Sequence, residues 1–321
     1  MERNIGIIGL GTVGQALFNQ IQELEGFKVA GIAVKSASKA RNADRQLITT
    51  NANELIHNPE VEVILEAIDD DESAFEYAKA SLRLGKIYIS ANKKMVANNL
   101  RVLLHYATLY GGELLYEAAV GGAIPVLRTI REHLRNEPIH SIRGIVNGSC
   151  NYILTRMLED ELPFDQALRQ AQELGFAESD PTLDVDAWDS YYKSILLSHT
   201  AFREYPNLER ISMQGIRGIQ LSELKKARRA GAKVKLVVSI ESKGTRTAIE
   251  IAPKHVQPSD PLYSIDNELN GIVINGLYSG ELLLQGPGAG GNPTASAMIG
   301  DLVNASKPAS ETLNRELASV H

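Results

Sequence analysis

Along the first third of the chain, short apolar runs alternate with segments whose apolar residues recur every three or four positions. "NIGIIGL" is an isoleucine-rich run of strand length, and it leads into "GTVGQALFNQIQEL", where Val13, Leu17, Ile21 and Leu24 recur at helical spacing. "FKVAGIAV", "VEVILEAI", "KIYIS" and "GELLYEAAV" read as four further strands. Between them lie helical stretches, of which "ESAFEYAKASLRLGK" is the clearest: Phe75, Ala78 and Leu82 share a face, and Gly85 is placed to cap its end. Such alternation predicts an α/β fold built on a doubly wound parallel sheet.

From about Ile139 the pattern changes. "NYILTRMLED", "FDQALRQAQELG" and "DAWDSYYKSILLSHTAF" read as consecutive helices, whereas "KVKLVVSIES", "TRTAIEIAP", "GIVINGL" and "GELLLQGPG" read as strands joined by short turns. This is the signature of an α+β domain. Late in the chain, "GPGAGGNPTASAMIGDLVNAS" is a glycine-rich loop followed by a helix begun near Asn292-Pro293-Thr294, since proline is tolerated in a helix's first turn. The expected division is residues 1–135, with a C-terminal helix of about 291–321 packing back onto them, and residues 136–290 as a second domain.

Length and composition agree with two domains: the chain has 321 residues, 44% of them hydrophobic. Its net charge of -6 and lack of a basic cluster argue against a nucleic-acid surface and for small-molecule or protein partners. One cysteine, Cys150, cannot form an intrachain disulfide, and "MERNIGIIGLGTVG" is not a secretory signal. No apolar run reaches the roughly 18 residues that a membrane span requires. A soluble cytoplasmic protein is expected.

The turn after the first strand reads Gly9-Leu10-Gly11-Thr12-Val13-Gly14, a GxGxxG between an apolar strand and an amphipathic helix. That context is what the dinucleotide fingerprint of a Rossmann-type sheet demands: Gly9 turns sharply, Gly11 lets backbone approach a pyrophosphate, and Gly14 lets helix pack on strand. The phosphates would then meet the free N–H groups of the helix N-terminus. About 20 residues on, an NAD site usually places an acid on the ribose. This chain has Lys35 there, with Lys39 and Arg41 close behind, which favours the 2′-phosphate of NADP over NAD, unless Lys35 is only a solvated loop residue.

"ESDPTLDVDAWDSYYKS" sets five carboxylates before Lys193. Gly175 ends the preceding helix, "FAESDPTLD" reads as a loop, and Asp184 is a natural N-cap for the helix that follows. In that helix Asp186, Asp189 and Lys193 are spaced by three and four and share a face. On pattern alone an exposed ion pair is the better reading. The chemical alternative is a partly desolvated lysine that handles a proton in hydride transfer. Lysine also stands in "ISANKKMVANN", where a strand ends and ligands of open α/β sheets bind, so Lys93 or Lys94 would sit near a nicotinamide.

Taken together, GLGTVG, "ANKK", "EAAVGGAIP", "GIVNGSCNYIL", "LGFAESDPTLDVDAWDSYYKSILL" and "GPGAGGNPTASAMIGDLV", six blocks in order across nearly the whole chain, closely resemble the homoserine dehydrogenase family. The resemblance implies NAD(P)-dependent interconversion of L-homoserine and L-aspartate 4-semialdehyde, an oxidoreductase step in the biosynthesis of threonine and methionine. It also implies a second domain that both binds substrate and forms a homodimer. Carried over by position, Lys193 and Lys93 are the proton-handling lysines, with Lys93 rather than Lys94 matching the family's Asn-Lys. Asp189 is the acid that orients substrate and Lys193, while Glu178 and Asp184 match the acids that hold the substrate's ammonium. Asn147, Gly148 and Ser149 resemble the loop that meets substrate. Cofactor contacts fall to Gly9, Gly11, Thr12, Val13, Gly14, Lys35, Ala91, Asn92 and Lys93, and to Gly288, Gly290 and Thr294 of the late glycine-rich loop. "EAAVGGAIP" is similar to a loop that binds a monovalent cation such as sodium through the backbone carbonyls of Glu117, Val120, Gly122 and Ile124. Its other reading is an ordinary glycine turn into the helix "IPVLRTIREHL".

Two departures stand out. Ala187 replaces the family's usual glycine, which puts the start of the catalytic helix in question if that position needs positive φ. "NGSC" replaces the commoner Asn-Gly-Thr-Thr, though Ser149 keeps a hydroxyl. The chain ends after "NRELASVH" without the regulatory domain many relatives append, so feedback control by threonine through such a domain is not expected. On the residues alone two other readings remain: a Rossmann-type amino-acid dehydrogenase with a different substrate, which needs no acid trio at 178, 184 and 189, and a non-catalytic NADP-binding sensor gripping its cofactor through Lys35, Lys39 and Arg41.

Overall fold

Isoleucines 5, 7 and 8 are at most 3% exposed, so the run that opens the chain is buried on both faces, as a central parallel strand requires. The computed structural model describes residues 2–37, 42–243 and 246–305. Two compact units emerge: residues 1–119 joined by the segment from Gly290 onward, and residues 120–289.

The first unit holds six parallel strands in the order β3-β2-β1-β4-β5-β6. They are β1 Arg3–Ile8, β2 Phe27–Ala33, β3 Ile48–Thr49, β4 Val61–Glu66, β5 Ile87–Ser90 and β6 Glu113–Leu115. The order reverses between β1 and β4, the crevice where doubly wound sheets bind dinucleotides. Five of the six strands were visible as apolar runs. The edge strand β3 was not, because two residues carry no periodicity. The run expected as the last strand stops at Leu115, and Glu117–Ala119 turns as a 3-10 helix.

Helices Thr12–Ile21, Ala52–His57, Asp71–Arg83 and Lys93–Tyr110 alternate with the strands. Gly85 has φ 70° and ends the third of these, the conformation a glycine adopts at low cost. The late helix, Gly291–Asn304, belongs to this unit: Ala295, Met298 and Leu302 are buried in one apolar cluster with Ile5, Leu17 and Ile32. Its first residue packs so closely on the fingerprint turn that a Cβ at Gly291 would lie 3.1 Å from the carbonyl oxygen of Thr12. Residues 306–321 of the expected C-terminal segment, and Lys39 and Arg41, lie outside the described residues.

In the second unit a mixed sheet runs β12-β11-β7-β9-β10-β8. Its strands are β7 Ile139–Ile145, β8 Ser212–Met213, β9 Lys233–Lys243, β10 Arg246–Val256, β11 Leu269–Gly276 and β12 Gly280–Pro287. β7 lies between β9 and β11 and is antiparallel to both. Its sequence "IHSIRGI" mixes buried isoleucines with polar residues and begins where the sequence pattern breaks down, so it was not read as a strand. Helices Gly148–Glu159 and Trp188–Phe202 pack on the sheet. Smaller helices are Phe164–Glu173, Thr182–Val185 and Leu221–Arg229, and Val126–Arg128 runs on into a π turn at Thr129–His133.

Candidate active site

The glycines of the fingerprint turn have distinct jobs. Gly9 has φ 98°, and a Cβ there would meet the Ala67 carbonyl oxygen at 2.5 Å. A Cβ on Gly14 would lie 2.1 Å from the Gly9 carbonyl oxygen, so only glycine lets this helix close on the strand. Gly11, by contrast, opens on empty space: nothing lies within 4 Å of its Cβ position, which leaves its backbone approachable by a ligand. Thr12 and Val13 start the helix, whose ten residues bring an intact N-terminal dipole to the turn. Lys35 is exposed just beyond β2. Gly290 has φ 111°, and its carbonyl accepts the Thr294 N–H at 3.1 Å.

Ala91 and Asn92 follow β5. Asn92 caps the next helix, its Oδ1 accepting the Met95 N–H at 2.9 Å, and places Lys93 as the first helical residue. Lys94 pairs with Asp71 at 2.5 Å, a structural contact. Beneath them the carboxyl of Glu66 is fully buried, and desolvation lifts it to about 7 against the hydrogen bonds from Ser90 and Ile68.

In the second unit, Lys193 lies one turn beyond Asp189 on the Trp188–Phe202 helix and pairs with it at 2.8 Å. The side chains are only 9% and 5% exposed, so the expectation of a surface pair is overturned. Lys193 Nζ also donates to the Val146 carbonyl at 2.6 Å. Asn147 completes the array: its Nδ2 donates to Asp189 Oδ2 at 2.9 Å and to Asp184 Oδ1 at 2.7 Å. Its Oδ1 accepts the Cys150 N–H and caps the Gly148–Glu159 helix. Four polar side chains from three segments are thus tied together by contacts that a single lysine and two acids could not make alone.

Asp184 is not the N-cap expected of it. It lies inside the short helix Thr182–Val185, entered through an Asp180 carboxylate that accepts the Thr182 N–H. The cap of the lysine-bearing helix is Ala187, in the left-handed region at φ 69° and fully buried. A turn from below supports it: Ile216 N–H donates to Val185 O at 2.7 Å, and a Cβ on Gly215 would lie 2.1 Å from the same oxygen. Asp186, expected on the face of Asp189 and Lys193, instead precedes the helix and forms a fork with Arg217 at 2.9 and 3.1 Å. Glu178 is exposed, and its backbone carbonyl accepts Gln172 Nε2 at 2.9 Å. The Ser149 hydroxyl donates to the Phe176 carbonyl. Gly148 sits so close to the Glu268 carbonyl oxygen that a Cβ would lie 2.5 Å away. Burial pushes the Cys150 thiol well above its usual value, aided by Asp184 and Asp189, so it is no nucleophile.

Around "EAAVGGAIP", Glu117 is buried and its N–H donates to Asp301 at 2.8 Å. Val120 and Ile124 are buried, and Gly121 and Gly122 have φ 77° and 57°. Gly288 lies against Gly122, where a Cβ would come 2.5 Å from the Gly288 carbonyl carbon. Among the described residues no cluster of histidine, cysteine and acid side chains could hold a metal ion, and no helix is long and apolar enough to cross a membrane. Sequence reasoning missed the Val146 carbonyl and Glu66: a backbone oxygen has no sequence signature, and Glu66 hides inside a strand-like run.

The 3-2-1-4-5-6 parallel sheet with its glycine turn, and a buried lysine–acid array in the second unit, define an oxidoreductase that uses a nicotinamide dinucleotide. Residues 9–117 match the family model described as the homoserine dehydrogenase NAD-binding domain, and residues 125–303 match the one described as homoserine dehydrogenase. A homoserine dehydrogenase of Bacillus subtilis is 34% identical over 310 residues, 93% of this chain and 72% of the relative. The crystal structure of a homoserine dehydrogenase from Thiobacillus denitrificans superposes with a TM-score of 0.90 at 31% identity, covering 94% of this chain and 73% of that one. A hyperthermophilic archaeal homoserine dehydrogenase in complex with NADPH gives 0.82 at 28% identity, over 95% and 98%. The chain belongs to the homoserine dehydrogenase family. Its reaction is oxidation or reduction at a CH–OH carbon with a nicotinamide cofactor.

Proposed function

We propose that Lys193 is the group that moves the hydroxyl proton when L-homoserine and L-aspartate 4-semialdehyde interconvert, with NADP as the preferred cofactor. The observation that carries this is the buried Lys193–Asp189 pair at 2.8 Å, held by Asn147. The nicotinamide, when bound, supplies or takes the hydride. Lys193 then gives its proton to the oxygen of the reduced carbonyl, or takes it from the alcohol in the reverse direction. Asp189 keeps the ammonium oriented and stabilises its charge, and the Val146 carbonyl prevents it from swinging out. Asp184 and Glu178 are assigned to the substrate's α-ammonium, Asn147, Gly148 and Ser149 to the rest of its head group, and Lys93 to the second lysine role.

NADP is supported by Lys35 in place of an acid beyond β2, and the family includes a relative that binds NADPH. With Lys35, the residues Gly9, Gly11, Thr12, Val13, Gly14, Ala91, Asn92, Lys93, Gly288, Gly290 and Thr294 are the assigned cofactor contacts. A monovalent cation is assigned to the carbonyls of Glu117, Val120, Gly122 and Ile124, since carbonyl oxygens suit hard cations. The positive-φ turn at Gly121 and Gly122 is the geometry that supports it. A homodimer fits the outer edge strand β12 and the turn that leads into it, with Leu283 on the strand exposed at 38% and Leu277 and Tyr278 in the turn at 54% and 80%. A reduced, buried Cys150 suits the cytoplasm.

Lys193→Ala tests the central assignment. Turnover of homoserine should fall at least ~100-fold, the low end for acid–base catalysis, while cofactor affinity changes little. Near-normal turnover in a folded variant rejects the role.

A further inference from the structure

Glu66 ends β4 at the carboxyl edge of the first sheet and is 0% exposed. Its Oε1 accepts the Ile68 N–H at 2.7 Å and its Oε2 accepts the Ser90 hydroxyl at 2.6 Å. Ser90 Oγ in turn accepts the Asn92 N–H at 3.0 Å, and Asn92 Nδ2 donates to the Ile68 carbonyl at 3.2 Å. A ring therefore closes through Glu66, Ile68, Asn92 and Ser90, tying the end of β4 to the end of β5 and to the helix that begins at Lys93. Residue 67, inside that ring, presents the carbonyl against which Gly9 is packed.

A group in this place has a definite relation to a dinucleotide. In doubly wound sheets the first three strands take one mononucleotide half, and the strands beyond the switch point take the other. The Lys35 position belongs to the adenosine half, so β4 and β5 carry the nicotinamide half. The oxidised nicotinamide ring has a positive charge and the reduced ring none. A buried carboxylate under that half stabilises the oxidised form, and a neutral carboxyl does not.

We propose that Glu66 is a positioning and electrostatic residue whose ionisation sets the relative affinity for oxidised and reduced cofactor. The inference rests on the nicotinamide-binding reading of the first unit. Burial is the main reason Glu66 titrates at about 7, so both forms are populated near neutral pH. Charged and titratable neighbours are Asp69 and Asp71, which push it further up, and Tyr88 of β5, itself held well above its usual value by burial. Lys94, on the helix above, is paired with Asp71. The Ser90 bond works the other way and favours the carboxylate.

The experiment measures the dissociation constants of NADP+ and NADPH on the intact protein, by calorimetry or NADPH fluorescence, from pH 5.5 to 8.5. The ratio of the two cancels the titration of the cofactor's own phosphates. In the natural protein, preference for NADP+ should rise about threefold to tenfold through a midpoint near 7, the effect of one partly screened charge. Glu66→Gln, which mimics the protonated form, should give a flat ratio. Ser90→Ala removes a bond that favours the carboxylate and should move the midpoint to higher pH; this keeps the test decisive if the glutamine variant does not fold. A flat ratio in the natural protein, or an unchanged midpoint in both variants, overturns the proposal. Failure of the natural protein to bind either cofactor at any pH would instead refute the nicotinamide reading, and the inference with it.

Discussion

Replacing Lys193 with methionine isolates what the buried pair is worth. Methionine keeps most of the side-chain volume but removes the ammonium, leaving the Asp189 carboxylate, whose side chain is 5% exposed, with Asn147 as its remaining partner among those described above. Two magnitudes compete. An exposed i,i+4 pair contributes about 0.3–0.5 kcal/mol, whereas stripping one partner from a buried pair costs about 3–5 kcal/mol because a charge is left uncompensated. Burial of both side chains decides for the larger figure. With a urea dependence of about 1–3 kcal/mol per molar, the unfolding midpoint of the second unit should drop by about 2 M. The assay is intrinsic fluorescence, since the chain has one tryptophan and it is Trp188, next to Asp189 on the same helix. The double variant Asp189→Asn/Lys193→Met removes both charges and should recover at least half of the loss. A single-variant loss below about 1 kcal/mol, or a double variant no better than the single, would show that the pair is solvated and that the argument from burial is wrong.

Three further outcomes are expected. Gly14→Ala places a methyl group 2.1 Å from the Gly9 carbonyl oxygen and should abolish NADPH binding, read by fluorescence titration, with most of the protein insoluble. Burial holds a proton on Glu66 up to about 7 in the folded chain, whereas the unfolded chain releases it at 4.5, so the native state binds more protons between those values. Stability should therefore fall by about 3 kcal/mol as pH rises through that window and level off above it, and Glu66→Gln should remove the slope in thermal melts at pH 5 and pH 8. Lys35→Ala should weaken NADP roughly fivefold and leave NAD unchanged, the share of one exposed charge contact; equal losses for both would move the 2′-phosphate contact elsewhere.

Much of the architecture was legible because burial writes itself into periodicity. β1, β4 and β5 are largely buried on both faces, and β2 is an apolar run broken only by Lys28, so none of the four could be mistaken. The glycine turn gained its meaning from lying between one of those strands and a helix. β3 and β8, two residues each, fall below the length at which any period shows, and β7 is masked by His140, Ser141 and Arg143. In the second unit the spacing of Asp189 and Lys193 was readable, but their depth was not: "DSYYKS" is as polar as many solvated helix faces. What buries it is the sheet and helices assembled from elsewhere in the chain. Asp184 misled for a related reason. Its side chain is a good cap in isolation, yet Asn147 claims it from 37 residues away, and the chain is turned instead at Ala187. The family's usual glycine at this position pointed to positive φ, and Ala187 does adopt it at φ 69°; alanine has no local preference for that region, so the Val185–Ile216 contact has to hold it.

The helix Gly291–Asn304 supplies part of the apolar interior shared with β1 and β2, although well over a hundred residues separate it from the nearest of the strands it covers. During synthesis the strands of the nucleotide-binding sheet emerge before the second unit, but the sheet lacks this piece until the segment Gly291–Asn304 has been made. The uninterrupted stretch from 120 to 289 has no such wait. Of the two units, the one begun earlier is thus the one completed later, and a fragment cut after residue 119 would present naked isoleucine to water where Met298 and Leu302 belong.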